Sequence, residues 1–247
     1  MTKVASYIAI IIGVFLSNVA GAAPGCSEDQ KRIFSRPLIL GASCSAGFGI
    51  KSFGDPGTRA ARTCNSGANI KNIAVDGKAG ADSAEEWLEC EEEQGEACQN
   101  TIAKLIQGRT VVIALDFLFW DTAYNRWIGD GKAAFDLLLA ATQKAGIPLV
   151  IGDVPALPGD DTSAVVAQLG QYPRLWINPH IHRNCTRANL CYLLPFVKLH
   201  SEAKSGQGAL VEGQYYKFEQ IMQDDLRHFN QKGSTVVGQM LLGLFKR

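Results

Sequence analysis

Residues 37–47 read Pro37-Leu-Ile-Leu-Gly41-Ala-Ser43-Cys-Ser-Ala-Gly47. The first five are a short apolar run closed by glycine, the pattern of a parallel strand buried on both faces. Ser43 follows at once, between Gly41 and Gly47. A serine there sits at the carboxyl edge of a strand, where open α/β sheets bind ligands. Small neighbours let its backbone N–H approach a substrate oxygen. Taken alone, the stretch also fits an ordinary strand-to-helix turn.

Working outward, three more runs have the same character: Ile70–Val75, Thr110–Leu115 (TVVIAL) and Pro148–Val154. Between them lie helical segments at 81–92, 99–107 and 132–145; in the last, Phe135, Leu138, Leu139 and Thr142 share one face. Asn230 is placed to cap a final helix over 231–244. Strands alternating with helices of this length imply crossover connections, a parallel sheet covered on both faces, and an α/β fold. No repeat or Pro/Gly/Ser-rich linker divides residues 23–247, so one domain is expected. Residues 157–213, which include a helical stretch over 190–203, read as an elaborated insertion on the carboxyl side of the sheet.

The first residues stand apart. Lys3 precedes an apolar run from Tyr7 to Leu16, and Ala20, Gly21 and Ala22 follow. This is the order of a signal peptide, with cleavage expected after Ala22 and a secreted or periplasmic protein as the result. Ten apolar residues are too few to span about 30 Å of hydrocarbon, so no stable membrane span is expected. Seven cysteines lie beyond that site. Cys90 with Cys98 and Cys185 with Cys191 enclose short loops that local disulfides would close. Cys26 and Cys64 are a third candidate pair, too distant in sequence for the pairing to be read from it, and Cys44 is left over. Across 247 residues, 47% are hydrophobic and 19% charged, as in a globular protein. Lys+Arg and Asp+Glu balance at 24 each, so no basic field exists to draw in nucleic acid.

Two further features bear on chemistry. Asp225 precedes His228 by three positions, a spacing from which a carboxylate can orient an imidazole and stabilise its protonated form. Asn72 and Gly77 bracket the end of the second strand, and Gly77 can offer an unhindered N–H at the same sheet edge.

Together, LILGASCSAGFG, NIAVDGKAG and DDLRHFNQKG resemble, in order and spacing, the first, second and last blocks of the SGNH/GDSL hydrolase superfamily. The resemblance spans residues 38–233. It implies a three-layer α/β/α, flavodoxin-like parallel sheet and an esterase or acyl hydrolase working through an acyl-serine. It further implies Ser43 as nucleophile, His228 as general base, Asp225 as its orienting carboxylate, and the N–H groups of Ser43 and Gly77 as oxyanion donors. Two positions depart from the pattern. Ala42 replaces the aspartate of the first block, and LDFLFWDTAYN stands where the third block carries its asparagine donor. Asp116 and Asp121 are the nearest polar groups, but an ionised carboxylate repels a developing oxyanion; Asn125 has nothing to place it.

In that stretch Asp116, Phe117 and Trp120 are the candidate substrate-binding residues. Asp116 stands at a strand end, a position that suits either a site or a cap. The aromatics, Phe119, Tyr124 and Trp127 among them, suit an acyl wall, a sugar platform or plain core packing. Expected substrates are small-molecule, lipid or acylated-glycan esters. The altered third block also fits a second reading, a weakly active or inactive scaffold that binds glycans or envelope components. His180 and His182 lack a carboxylate or cysteine cluster beside them, and the glutamates over 85–96 lack the alternation of a calcium loop, so no metal site is expected. No glycine-rich nucleotide motif points to a cofactor.

Overall fold

The computed structural model describes residues 25–50, 54–123, 128–155, 164–225 and 228–246. The leader over 1–22 and Tyr124, Asn125 and Trp127 lie outside them. Helix α1 (Glu28–Ile33) starts at a reciprocal cap between Ser27 and Gln30 and leads into β1 (Pro37–Ile39). Ser43–Ala46 forms the single turn α2, and Asp55 caps α3 (Pro56–Cys64) through the Thr58 N–H. Next come β2 (Lys71–Asn72), α4 (Gly80–Gln94), α5 (Ile102–Ile106) and β3 (Val111–Ala114). Then follow α6 (Phe119–Ala123), α7 (Ile128–Ala145), β4 (Leu149–Gly152) and α8 (Ala164–Asn184). The chain ends with β5 (Cys191–Leu194), α9 (Phe196–Lys204), the hairpin β6 (Ala209–Val211) and β7 (Gln214–Tyr216), α10 (Phe218–Ile221) and α11 (Gln231–Gly243).

The five strands β1–β5 pair in parallel in the order β2-β1-β3-β4-β5. The order in which strands are added to the sheet reverses between β1 and β3, which opens a crevice at their carboxyl ends. Alternation along each strand sorts its side chains into two cores. Ile39, Val111, Ile113 and Val150 pack with Phe34, Phe196, Val237 and Leu241 on the face covered by α1, α3, α9 and α11. Leu38, Val112, Ala114, Leu149 and Ile151 pack with Trp87, Leu105, Phe135 and Ile181 on the face covered by α4, α5, α7 and α8. Each sheet face is thus closed by helices, giving three layers.

Residues 157–213 are not an insertion. They carry the next repeat of the α/β pattern, with α8 as crossover and β5 as the fifth strand. Gly170, Pro173 and Pro179 break the apparent helical pattern of α8, although the tertiary fold carries 21 residues through it. The stretch 190–203 divides at Pro195 into β5 and α9. Three cysteine pairs lie at disulfide separation: Cys26–Cys64, Cys90–Cys98 and Cys185–Cys191, with Cα–Cα distances of 5.2, 5.7 and 4.7 Å. They tie the start of α1 to the end of α3, close the turn after α4, and join the end of α8 to β5. Among the described residues no helix is long and apolar enough to cross a membrane.

Candidate active site

The crevice at the β1/β3 reversal is built around Asp116, the second residue beyond β3. Its Oδ1 accepts from the Ala42 N–H at 2.9 Å and from the Ser45 hydroxyl at 2.5 Å. Its Oδ2 accepts from the N–H of Cys44 at 2.7 Å and of Ser45 at 3.4 Å. One buried carboxylate therefore satisfies the donors of the turn that carries Ser43. A Cβ at Gly41 (φ 127°) would collide with that carboxylate, which accounts for glycine at the end of the strand. Burial pushes the Asp116 carboxyl above its ordinary range, opposed by these same hydrogen bonds. The sequence suggested a substrate contact here. Both oxygens are instead engaged by the turn that carries Ser43, so Asp116 is a brace.

The turn is held from its other side as well. Asn72, at the end of β2, donates from Nδ2 to the Ser45 carbonyl at 2.9 Å, and the Val75 N–H donates to the Gly41 carbonyl at 3.0 Å. The latter bond carries the β2 loop along the crevice towards Gly77, which is half-buried and has open space where a side chain would stand.

Ser43 is buried at the first position of α2. Its Oγ lies 2.8 Å from His228 Nε2, and the other ring nitrogen, Nδ1, contacts Asp225 Oδ2. The His228 backbone N–H also donates to Asp225 Oδ1 at 3.1 Å, so the carboxylate grips both the ring and the chain of the residue it orients. The fold thus brings together Ser43, His228 and Asp225 from the two ends of the described chain. The ring of Phe48 lies 4.5 Å from the His228 imidazole, tilted by 38°.

Cys44, beside Ser43, keeps a thiol outside the three disulfides. Burial first, then the Asp116 charge, pushes that thiol well above its usual range, so it stays protonated and a poor nucleophile. A cavity of about 30 Å³ lies against Cys44 and Asp116, walled by Phe119, Phe196, His200 and Phe229. That volume accommodates about one water-sized group.

The aromatic stretch after β3 divides in three. Phe117 is fully buried and stacks on Trp87, ring centroids 6.0 Å apart and planes within 5°. It is a core residue, which corrects its reading as a substrate wall: the turn after β3 sends it into the α4/α7 layer. Phe119 lines the cavity, and half-buried Trp120 meets it edge-on at 5.3 Å. Asp121 accepts from the Gly80 and Ala81 N–H groups at 2.7 and 2.9 Å, a cap for α4. His180 and His182 lie on helix α8, not on an extended segment, and face separate carboxylates, Asp136 at 2.8 Å and Asp153 at 3.1 Å. Glu85, Glu86, Glu89 and Glu91–Glu93 are exposed on α4. Among the described residues no group of three or more His, Cys, Asp or Glu side chains is arranged to hold a metal.

No protein-family model and no curated protein matches the chain. Solved structures do. A protein of the G-D-S-L family from Desulfitobacterium hafniense superposes with a TM-score of 0.57 at 10% identity, over 85% of this chain and 99% of that one. The acetylxylan esterase Axe2 from Geobacillus stearothermophilus superposes at 0.55 with 12% identity, over 86% and 95%. The esterase EstA from a Pseudoalteromonas species superposes at 0.52 with 14% identity, over 84% and 94%. At such identities the likeness speaks for the fold, and the chemistry must be argued from the site. The chain has the three-layer α/β/α fold of the SGNH/GDSL hydrolase superfamily.

Proposed function

We propose that the protein is a secreted or periplasmic serine esterase. The observation that carries this reading is the 2.8 Å contact between Ser43 Oγ and His228 Nε2, with Asp225 on the far ring nitrogen. In the mechanism, His228 takes the proton as Ser43 Oγ attacks an ester carbonyl, and Asp225 stabilises the resulting imidazolium. Collapse of the tetrahedral intermediate expels the alcohol, which receives that proton from His228. Water, deprotonated by the same imidazole, then releases the acid from Ser43.

Backbone N–H groups of Ser43 and Gly77 serve as oxyanion donors. The third donor that the superfamily pattern supplies has no asparagine in residues 116–123. Loss of one such donor costs about 10²–10³ in rate, so a slow esterase is expected rather than an inert scaffold. Trp120 remains a candidate wall for the substrate, drawn from small-molecule, lipid or acylated-glycan esters. An acetylxylan esterase among the structural neighbours makes O-acetylated glycans the first class to assay. The disulfide-distance cysteines suit an oxidising compartment.

Two measurements test the reading. A fluorophosphonate probe should label the wild-type protein at Ser43, and Ser43→Ala should lose both labelling and at least about 10³-fold of p-nitrophenyl acetate turnover while keeping its circular dichroism. Undiminished turnover by the folded Ser43→Ala protein rejects the mechanism. Absence of labelling with glycan binding intact favours the scaffold.

A further inference from the structure

Ser43 opens the single turn α2, which runs into the loop carrying Phe48, while His228 sits on the loop before α11, and their side chains meet across a single hydrogen bond. Something must hold the two loops at that separation. Gln223 is the side chain that spans them. Its Nε2 donates to the Phe48 carbonyl at 2.8 Å and to the Phe229 carbonyl at 2.9 Å. Its backbone N–H donates to the carbonyl of His228 itself at 2.7 Å. Phe48, in turn, donates its N–H to the Ser43 carbonyl at 2.9 Å.

These bonds close a circuit. From Ser43 it runs through the Phe48 peptide to the Gln223 amide, through the Gln223 backbone to His228, and back across the imidazole to Ser43 Oγ. A carboxamide with two N–H bonds suits the junction, because both loops present carbonyl oxygens there and a side-chain acceptor would meet only acceptors. Space is tight as well: a Cβ at Gly49 (φ 70°) would stand 2.5 Å from Gln223 Oε1, so the loop after Ser43 has only a hydrogen where the amide packs.

We propose that Gln223 is a positioning residue that sets the Ser43–His228 separation, acting through backbone carbonyls and touching no reacting atom. Its kinetic consequence rests on the esterase reading; its geometric consequence does not. Gln223→Met keeps the length and removes both donated bonds, and Gln223→Asn keeps the donors but shortens their reach, which covers the case in which the methionine variant fails to fold. A displacement near 1 Å at a reacting pair costs about 10²-fold. Gln223→Met should therefore lower kcat and the fluorophosphonate labelling rate together, by about 10–10²-fold, with KM within about twofold. Gln223→Asn should fall in between, and Asp224→Asn, an exposed change next door, should behave as wild type.

Crystal structures of the variants give a second readout that needs no turnover: the Oγ–Nε2 distance should open beyond hydrogen-bond reach. If wild type neither labels nor hydrolyses esters, the esterase reading fails, and the proposal is then judged on that distance alone. A folded Gln223→Met protein with an unopened distance overturns it, as does wild-type kcat in an active enzyme.

Discussion

The turn that carries Ser43 and the loop that carries His228 meet at one hydrogen bond but are held by opposite means. Asp116 is buried two residues beyond β3 and braces the turn of residues 42–45 through four hydrogen bonds of 2.5–3.4 Å. Asp225 has a side chain 40% exposed and serves a loop secured largely by its own sequence neighbours, Gln223 and Asn230. Two aspartates thus serve the two sides of one contact, Asp116 on the turn around Ser43 and Asp225 on the ring and backbone N–H of His228. On the proposed mechanism, holding Ser43 and orienting His228 are separate tasks, the first felt in stability and the second in rate.

Substitutions can break that separation. Asp225→Asn should cost about 10²–10⁴ in kcat by losing the orientation and charge that support the imidazole. Denaturant midpoints should scarcely move, since a hydrogen bond to a carboxylate as exposed as Asp225 contributes about 1 kcal/mol or less. A large drop in stability with kcat intact would reverse the roles assigned here. Asp116→Ala strands several buried N–H groups and should lower unfolding free energy by about 3 kcal/mol, read in urea; a neutral result would mean that the turn holds itself.

The histidine side has a pH signature of its own. His200, packed against Phe218 and Phe229, is buried, and desolvation lowers its pKa from 6.5 to about 4. The unfolded chain then binds a proton that the folded one refuses, so stability is retained above pH 6.5 and lost as pH falls towards 4. The loss amounts to about 2 kcal/mol between pH 7 and 5. The buried carboxyls of Asp55, Asp116 and Asp121, raised by burial, work in the opposite sense. The difference between wild type and His200→Phe therefore isolates the imidazole, and parallel pH curves for the two would refute its role. Asn230→Ala removes the cap on the Gly233 N–H together with the bonds donated to the Gln220 and Met222 carbonyls, and is expected to cost about 1–2 kcal/mol. Thermal unfolding of that variant should show a lower midpoint; an unchanged one would mean that the packing of α11 makes its cap redundant.

What the sequence disclosed follows from what kind of interaction does the holding. β1, β3 and β4 are buried on both faces and announce themselves as apolar runs, and α11 by Asn230. β5 and α8 do not, since prolines obscure the helix and four residues, CYLL, make the strand. At the site, Ser43, Asp225 and His228 carry recognisable side-chain chemistry at a recognisable spacing. Asp116 was visible as a polar residue at a strand end, yet its partners are backbone N–H groups, which every residue has and no motif records. The same holds for Gln223, whose acceptors are carbonyls. Phe117 and Phe119 differ only in which way a turn sends them, and one became core while the other lines a cavity.

The hydrogen bond from Ser43 to His228 joins positions 185 apart. On the proposed mechanism, a chain still emerging from the ribosome holds its hydroxyl long before its imidazole has been synthesised. Clipping the loop after α10 together with α11 would leave Ser43 without its base. Activity would therefore double as a reporter of folding, switched on only when two segments 185 positions apart have met.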